Sequence, residues 1–251
     1  MRSLTCASYS LPFTLHPLLF SMHSRSHILT PFTEKLDQLH HSLLRIAELA
    51  KRNLQNSICG LFERDDDYCN NAIADDEEID LLEMQIDREG LYIMSRFQPV
   101  ASDLRYVISS MKIGANIERI GDQTVNIARR ARKINEHPEV VELHELDNVI
   151  QLAMKMLDNA MRAYVEKNEA LALQVKTEDK ELDRLNKELN ERLILRMQDD
   201  SSRIPVYLNL IFISRCLERI GDHAANIAED VVFAVSAEDI RHLGGQVTSN
   251  G

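Results

Sequence analysis

The stretch ERIGDQTVNIA at residues 118–128 occurs a second time, as ERIGDHAANIA, at residues 218–228. Eight of the eleven letters agree, and the two copies lie 100 residues apart (218 − 118). The agreement includes the polar letters, which a helix does not need in order to form. The repeat therefore predicts two halves of similar design, each with a Glu-x-x-x-Asp-x-x-x-Asn pattern.

Apolar or small residues alternate at spacings of four and three through both copies, which is typical of a helix packed along its neighbours. These residues are Ile113, Ile117, Ile120, Thr124, Ile127, Ala131 and Ile134 in the first copy, and Ile213, Leu217, Ile220, Ala224, Ile227 and Val231 in the second. Gly121 and Gly221 lie beside these two apolar seams. Their missing side chains allow another helix to approach closely.

A second repeat precedes each copy. The stretch DDEEIDLLEMQID, which begins at Asp75, aligns with EDKELDRLNKEL, which begins at Glu178. The alignment pairs Asp76 with Asp179 and Asp80 with Asp183, at an offset of 103 (179 − 76). The three-residue difference from the first offset indicates connections of different length between the two helices of each half.

One further amphipathic helix is expected in each half, beginning near Phe32 and near Leu146. Between the halves, Pro138 blocks continuation of a helix. The sequence therefore predicts an all-α fold of two tandem, pseudo-symmetric three-helix bundles, at residues 31–137 and 138–241.

The two ends of the chain are expected to lie outside these bundles. Residues 1–30 contain no acidic residue, and LPFTLHPLLF at residues 11–20 is similar to a signal-peptide core that prolines and a histidine interrupt. We expect residues 1–30 to be a poorly structured extension, or translation to start at Met22. Residues 242–251 are expected to be a C-terminal tail.

Length and composition limit the function classes. A chain of 251 residues can bury a sizeable core, and its few glycines (8) and prolines (6) favour helices. A net charge of −11 argues against a nucleic-acid-binding surface. Four cysteines without C-x-x-C spacing indicate reduced thiols in a cytoplasmic protein, and no apolar run has the length of a transmembrane helix.

An acidic stripe flanks each apolar seam. Glu118, Asp122 and Asn126 are four residues apart, so they follow one side of a helix. On the preceding helix, Asp76 and Asp80 flank the apolar positions in the same rotational sense. If the two helices are antiparallel neighbours with facing seams, the two acidic pairs meet on one side.

Four converging carboxylates repel one another unless a cation lies between them. Ions that prefer oxygen ligands, such as Mg, Ca, Mn or Fe, suit this set, and an asparagine adds a neutral oxygen. The second half offers the equivalent residues Asp179, Asp183, Glu218, Asp222 and Asn226. The alternative is a solvated acidic face, because acids four residues apart are common on exposed helices.

Other sites are less well supported. The chain has no Glu-x-x-His pair for di-iron chemistry, no phosphate-binding G-x-x-x-x-G-K-[ST] loop and no G-x-S-x-G nucleophile. His223 follows Asp222, but Gln123 occupies its place in the first copy, so we expect a surface histidine.

Several motifs together resemble the PhoU family of phosphate-transport regulators, over roughly residues 31–245. These motifs are FQPVASDLR at residues 97–105, both ERIGD…NIA copies, EDKELD at residues 178–183 and AEDIRHLGG at residues 237–245. The resemblance implies two three-helix bundles and metal ions in multinuclear clusters, with Fe, Mn, Mg or Zn as the expected metals. The implied ligands are Asp76, Asp80, Glu118 and Asp122 in one half and Asp179, Asp183, Glu218 and Asp222 in the other, with Asn126 and Asn226 fitting the motif less securely.

The same resemblance implies a cytoplasmic, non-enzymatic regulator that is a homodimer. Such a protein links the ATPase of the phosphate ABC transporter to a phosphate-sensing histidine kinase, limits phosphate uptake and represses the phosphate-starvation response. It binds no nucleic acid and meets the membrane only through its partners.

Two other interpretations stay open at this point. A metal-storage or metal-dependent hydrolytic bundle would use the same carboxylates, although hydrolysis needs a general acid or base beside the metals. The sequence offers no histidine or lysine for that role in both copies. A purely structural helical scaffold with solvated acids is the other interpretation.

Overall fold

The computed structural model describes residues 29–138 and 140–240, and over these ranges the chain forms helices and no strands. The α-helices are α1 (Leu29–Phe62), α2 (Asp66–Ala74), α3 (Asp76–Phe97), α4 (Ala101–Asn135), α5 (Asp147–Glu166), α6 (Glu169–Asp199) and α7 (Ile204–Ser236). Two 3-10 helices, Val141–Leu146 and Ser201–Arg203, precede α5 and α7. The all-α prediction is confirmed. The tail at residues 242–251 and the extension at residues 1–30 lie outside the described residues, except that α1 already begins at Leu29.

Each half contains three long helices, α1, α3 and α4 in the first and α5, α6 and α7 in the second. The sequence did not predict the short helix α2, which packs against α1 and α4. It starts where the side chain of Asp65 accepts a hydrogen bond from the backbone N–H of Asp67, as an N-cap residue does. The chain then turns at Asp75 into α3.

Both predicted apolar seams are buried, and every residue in them is at most 1% exposed. Helices α4 and α7 also pack against each other across the two halves, in antiparallel orientation. Lys112 near the start of α4 contacts Asp230 near the end of α7, and Arg130 near the end of α4 contacts Asn209 near the start of α7. The hydrophobic core is therefore continuous between the halves.

Two glycines set the distance between the helices that carry the acidic residues. A Cβ atom at Gly121 would lie 3.0 Å from Ile79 Cδ1 on α3, and one at Gly221 would lie 2.2 Å from Leu182 Cδ2 on α6. Because a hydrogen replaces the side chain, α3 packs closely on α4 and α6 packs closely on α7.

The linker between the halves ends α4 as predicted. Arg64 donates hydrogen bonds to the backbone carbonyls of Asn135, at 2.8 Å, and of His137, so it satisfies carbonyls that the end of a helix leaves without partners. Pro138 follows directly. None of the helices in the described part of the chain is both long and apolar enough to cross a membrane.

Two cysteines in the described part of the chain, Cys69 and Cys216, are free thiols, as expected for these residues.

Candidate metal centres

The first acidic cluster consists of Asp76 and Asp80 at the start of α3 and Glu118 and Asp122 in the middle of α4. The close approach at Gly121 brings the helices together here, because a Cβ atom at that position would lie 3.4 Å from Asp76 Oδ1. Asp80 is exposed, and the other three are partly buried. The two acidic stripes therefore meet on one side of the helix pair.

The carboxylates of the first cluster interact electrostatically across the two helices. Burial raises the pKa of Asp76, and the charges of Asp80 and Asp122 raise it further, while Arg129 lowers it. Burial is also the largest cause of the raised pKa of Glu118, followed by the charge of Asp122 and opposed by Arg119. These carboxylates are held where their ionised forms repel one another.

The second acidic cluster consists of Asp179 and Asp183 on α6 and Glu218 and Asp222 on α7. Burial raises the pKa of Asp179 to about 6, and the charges of Asp222 and Asp183 add to that rise. Burial, then Asp183, also raises the pKa of Glu218 and of Asp222. The Oδ1 atom of Asp179 is fully buried without a hydrogen-bond partner. A buried carboxylate oxygen without a donor is well suited to ligate a cation.

Amide side chains extend the second cluster along an open groove of about 430 Å³ between α6 and α7. Asn186 Nδ2 donates to Glu218 Oε2 at 2.6 Å, and Ser214 Oγ donates to Asn190 Oδ1 at 2.9 Å. The contact from Asn186 holds Glu218 from one side of the groove.

Carboxylates occupy the two corresponding positions in the first half. With the offset of 103, Asn186 corresponds to Glu83 (186 − 103) and Asn190 to Asp87 (190 − 103). Burial, then the charges of Asp87 and Asp80, raises the pKa of Glu83. The sequence analysis missed this continuation, although acids at residues 76, 80, 83 and 87 repeat at helical spacing.

Each cluster has basic neighbours. Arg119 lies 3.4 Å from a carboxylate oxygen of Glu118 and 3.8 Å from one of Asp122. In the second half, Lys176 pairs with Glu229, also donates to the backbone carbonyl of Ile240 at 2.9 Å, and lowers the pKa of Asp179. These cations offset part of the repulsion among the acids.

The two asparagines of the repeated pattern are exposed. Asn226 Nδ2 lies 3.5 Å from Asn116 Oδ1 on α4, so the amide nitrogen is directed to the other half and not to the second cluster. His223 is only partly exposed, and its Nδ1 atom lies 3.1 Å from the same Asn116 oxygen. This contact between α4 and α7 depends on how the halves pack.

The donor set fits hard or borderline cations, because carboxylate oxygens from two helices converge in each cluster. Within residues 29–138 and 140–240, no group of three or more His, Cys, Asp or Glu side chains is arranged so that it could hold a metal ion. A bound cation would neutralise the repulsion that raises these pKa values and would join the two helices of each pair.

Comparisons with known proteins agree with this architecture. A family model described as the PhoU domain matches twice, at residues 43–131 and 146–231. A phosphate-specific transport system accessory protein PhoU homolog of Pseudomonas aeruginosa is 36% identical over 222 residues, covering 87% of this chain and 90% of the relative. The phosphate-specific transport system accessory protein PhoU of Escherichia coli is 29% identical over 225 residues, covering 90% and 93%.

Solved structures show the same fold. The crystal structure of PhoU from Pseudomonas aeruginosa has a TM-score of 0.80 and 35% identity, covering 82% of this chain and 100% of that one. The structure of the phosphate transport system regulatory protein PhoU from Streptococcus pneumoniae has a TM-score of 0.77 and 26% identity, covering 83% and 99%. The repeated domain, the full-length relatives and the shared structure together show that the chain belongs to the PhoU family.

Proposed function

We propose that this chain is a cytoplasmic regulator of phosphate uptake. It couples the ATPase of a phosphate ABC transporter to a phosphate-sensing histidine kinase, and it represses the phosphate-starvation response when phosphate is plentiful. The observation that carries the proposal is the match of both halves to the PhoU domain, in a chain that covers about 90% of relatives named for the phosphate-specific transport system.

We also propose that each acidic cluster binds metal ions, with Fe, Mn, Mg or Zn as candidates. The coupling of carboxylates across two helices and the buried Asp179 Oδ1 atom support this proposal. The ligands would come from the four acids of each cluster. The metal would supply positive charge that fastens α3 to α4 and α6 to α7.

A regulatory function fits the site better than hydrolysis does. Hydrolysis at a metal needs a general acid or base that can reach the attacking water. His223 neighbours Asp222, but its ring contacts Asn116, and Gln123 occupies the corresponding position in the first half. The two clusters share only their carboxylates, which suits a binding or structural function in both halves.

Deletion of the gene tests the regulatory proposal. In phosphate-rich medium, the deletion strain should express alkaline phosphatase at the level of phosphate starvation, and the reintroduced wild-type gene should restore repression. The tagged protein should also co-purify with the transporter ATPase or the kinase. Normal repression in the deletion strain would refute the regulatory assignment and leave metal binding to be judged by itself.

A further inference from the structure

A chain of four polar side chains joins the two halves away from the acidic clusters. Ser110 Oγ lies 2.9 Å from Tyr164 OH, Tyr164 OH donates to Tyr106 OH at 2.6 Å, and Tyr106 OH lies 3.0 Å from His40 Nδ1. His40 belongs to α1, Tyr106 and Ser110 to α4, and Tyr164 to α5 of the second half. We call these four residues the polar chain.

The rings of the polar chain are stacked and largely withdrawn from water. The ring centroids of His40 and Tyr164 are 5.5 Å apart, and those of Tyr106 and Tyr164 are 5.6 Å apart, with interplanar angles of 27° and 16°. Tyr164 is 3% exposed and Ser110 is fully buried. Burial raises the pKa of Tyr106 to about 12 and that of Tyr164 well above its ordinary value, so both phenols keep their protons.

The hydrogen atoms can be placed in two complete arrangements. With neutral His40 in the Nε2–H tautomer, Tyr106 OH donates to Nδ1, Tyr164 OH donates to Tyr106, and Ser110 donates to Tyr164. With His40 protonated, Nδ1–H must donate to Tyr106, so every later donor reverses. Ser110 then donates to the backbone carbonyl of Tyr106, 2.8 Å away. Protonation of His40 therefore excludes the arrangement in which Tyr106 donates to it, but it leaves the hydrogen bonds of the chain complete. Its effect on the contact between the halves comes from the charge that it adds.

The surroundings favour the neutral form of His40. Burial is the largest cause of its lowered pKa, and the neighbouring His41 and Lys167 lower it further, while only Asp37 raises it. Lys167, at the end of α5, also has its Nζ atom 5.6 Å from the centroid of the Tyr106 ring. Protonation of His40 thus places a second cation beside Lys167 in a partly buried contact between the halves.

We propose that the polar chain is a proton-sensitive latch between the two halves, closed while His40 is neutral and loosened when His40 is protonated. The helices it joins are α1 and α4 of one half and α5 of the other. A second polar contact between α1 and α5, Lys51 Nζ to Asp158 Oδ1 at 2.6 Å, lies about 16 Å from His40 along α1, at 1.5 Å per residue. It provides an internal reference for the latch.

Amide hydrogen exchange of the full chain tests the latch. Below about pH 6.5, the ordinary pKa of histidine, backbone protection around His40 and Tyr164 should fall after correction for the intrinsic pH dependence of exchange. Protection around Lys51 and Asp158 should change less. The His40→Gln variant, whose side-chain oxygen can still accept from Tyr106, should keep its protection and lose the pH dependence.

Two further variants separate the latch from general destabilisation. Tyr164→Phe keeps the stacked ring but removes the central hydroxyl, so protection should be lower at all pH values. His41→Gln is the matched control, because His41 is adjacent and contacts only the backbone carbonyl of Asp37 among the hydrogen bonds described. It should keep a pH-dependent loss of protection, with the midpoint at higher pH because the neighbouring positive charge that lowers the pKa of His40 is removed. Unchanged pH dependence in His40→Gln, or its disappearance in His41→Gln, would overturn the proposal.

Discussion

The two acidic clusters have the same four-acid plan but different surroundings. In the first half the acidic stripe of α3 continues through Glu83 and Asp87, whereas Asn186 and Asn190 occupy the corresponding positions of α6. Asn186 donates to Glu218, so the second cluster contains an amide donor where the first has another negative charge. The first cluster therefore carries more negative charge than the second and is surrounded by more carboxylate oxygens.

The basic neighbours of the clusters also differ. Arg129 of α4 faces Asp76 in the first half, but its counterpart in the second half is Glu229 (229 − 100). Lys176 of α6 pairs with Glu229 of α7 and offsets the charge of Asp179, which lies on the same helix as Lys176. The four acids are therefore common to both clusters, while the neighbouring residues make the net charge around them different.

Exchanging the residues at these two corresponding positions of α3 and α6 should exchange the relative metal affinities of the two clusters. Glu83→Asn with Asp87→Asn should lower the affinity of the first cluster for Mn²⁺ on the order of tenfold or more, or ~1.4 kcal/mol, because fewer charged oxygens face the ion. The reciprocal Asn186→Glu with Asn190→Asp should raise the affinity of the second. Calorimetric titration of chelator-treated protein measures both.

Each titration needs the other cluster disabled, by Gln at its Glu and Asn at its Asp positions, so that one site is observed at a time. Equal affinities in all of these proteins would show that Glu83 and Asp87 are solvated acids outside the site.

Neutralising one buried acid should have opposite effects with and without metal. At pH 8 without metal, Asp179→Asn should stabilise the fold by about 1 kcal/mol after allowance for solvent screening, because it removes a charge that burial and neighbouring acids disfavour. With saturating Mn²⁺ the same variant should be less stable than the wild type, because a ligand is lost. Denaturant unfolding with and without Mn²⁺ measures the change in the free energy of unfolding in each condition.

The exposed acid Asp199, at the end of the same helix, provides the control. The change in stability caused by Asp199→Asn should have the same sign with and without metal. Stabilisation by Asp179→Asn in both conditions would identify a strained acidic surface that binds no metal.

The smallest expected effect is a difference in stability between alanine substitutions at the two close helix contacts. Gly221→Ala should destabilise the fold by about 1 kcal/mol, because its Cβ would lie 2.2 Å from Leu182 Cδ2 in a packed core. Gly121→Ala should be nearly neutral, because the nearest atom is 3.0 Å away and alanine gains about 1 kcal/mol in helix propensity. Equal losses in the free energy of unfolding, measured by chemical denaturation, would show that the helices pack equally closely at the two glycines.

Periodicity and repetition predicted much of this molecule. The seams from Ile113 to Ile134 and from Ile213 to Val231 are buried as the four-and-three spacing requires, because a helix presents those positions on one side. The acidic pairs were also predictable, since their position beside the seam follows from the same helical geometry. Local spacing carries this information without knowledge of the tertiary fold.

Features that depend on contacts between distant segments could not be predicted in this way. The direction of Asn226 and the contact of His223 with Asn116 follow from the antiparallel packing of α4 on α7. The polar chain joins Tyr106 to Tyr164 across the two halves, and neither residue belongs to a repeated motif. No spacing along the chain indicates such pairs.

Metal content is the most direct measurement of the central claim, that both acidic clusters bind metal ions. Protein purified without chelator should contain Fe, Mn, Mg or Zn by mass spectrometry. Glu118→Gln with Asp122→Asn should remove the larger share, Glu218→Gln with Asp222→Asn the smaller, and all four substitutions together should remove the bound metal. Wild-type metal content in the quadruple variant, with its helical content intact, would contradict the account.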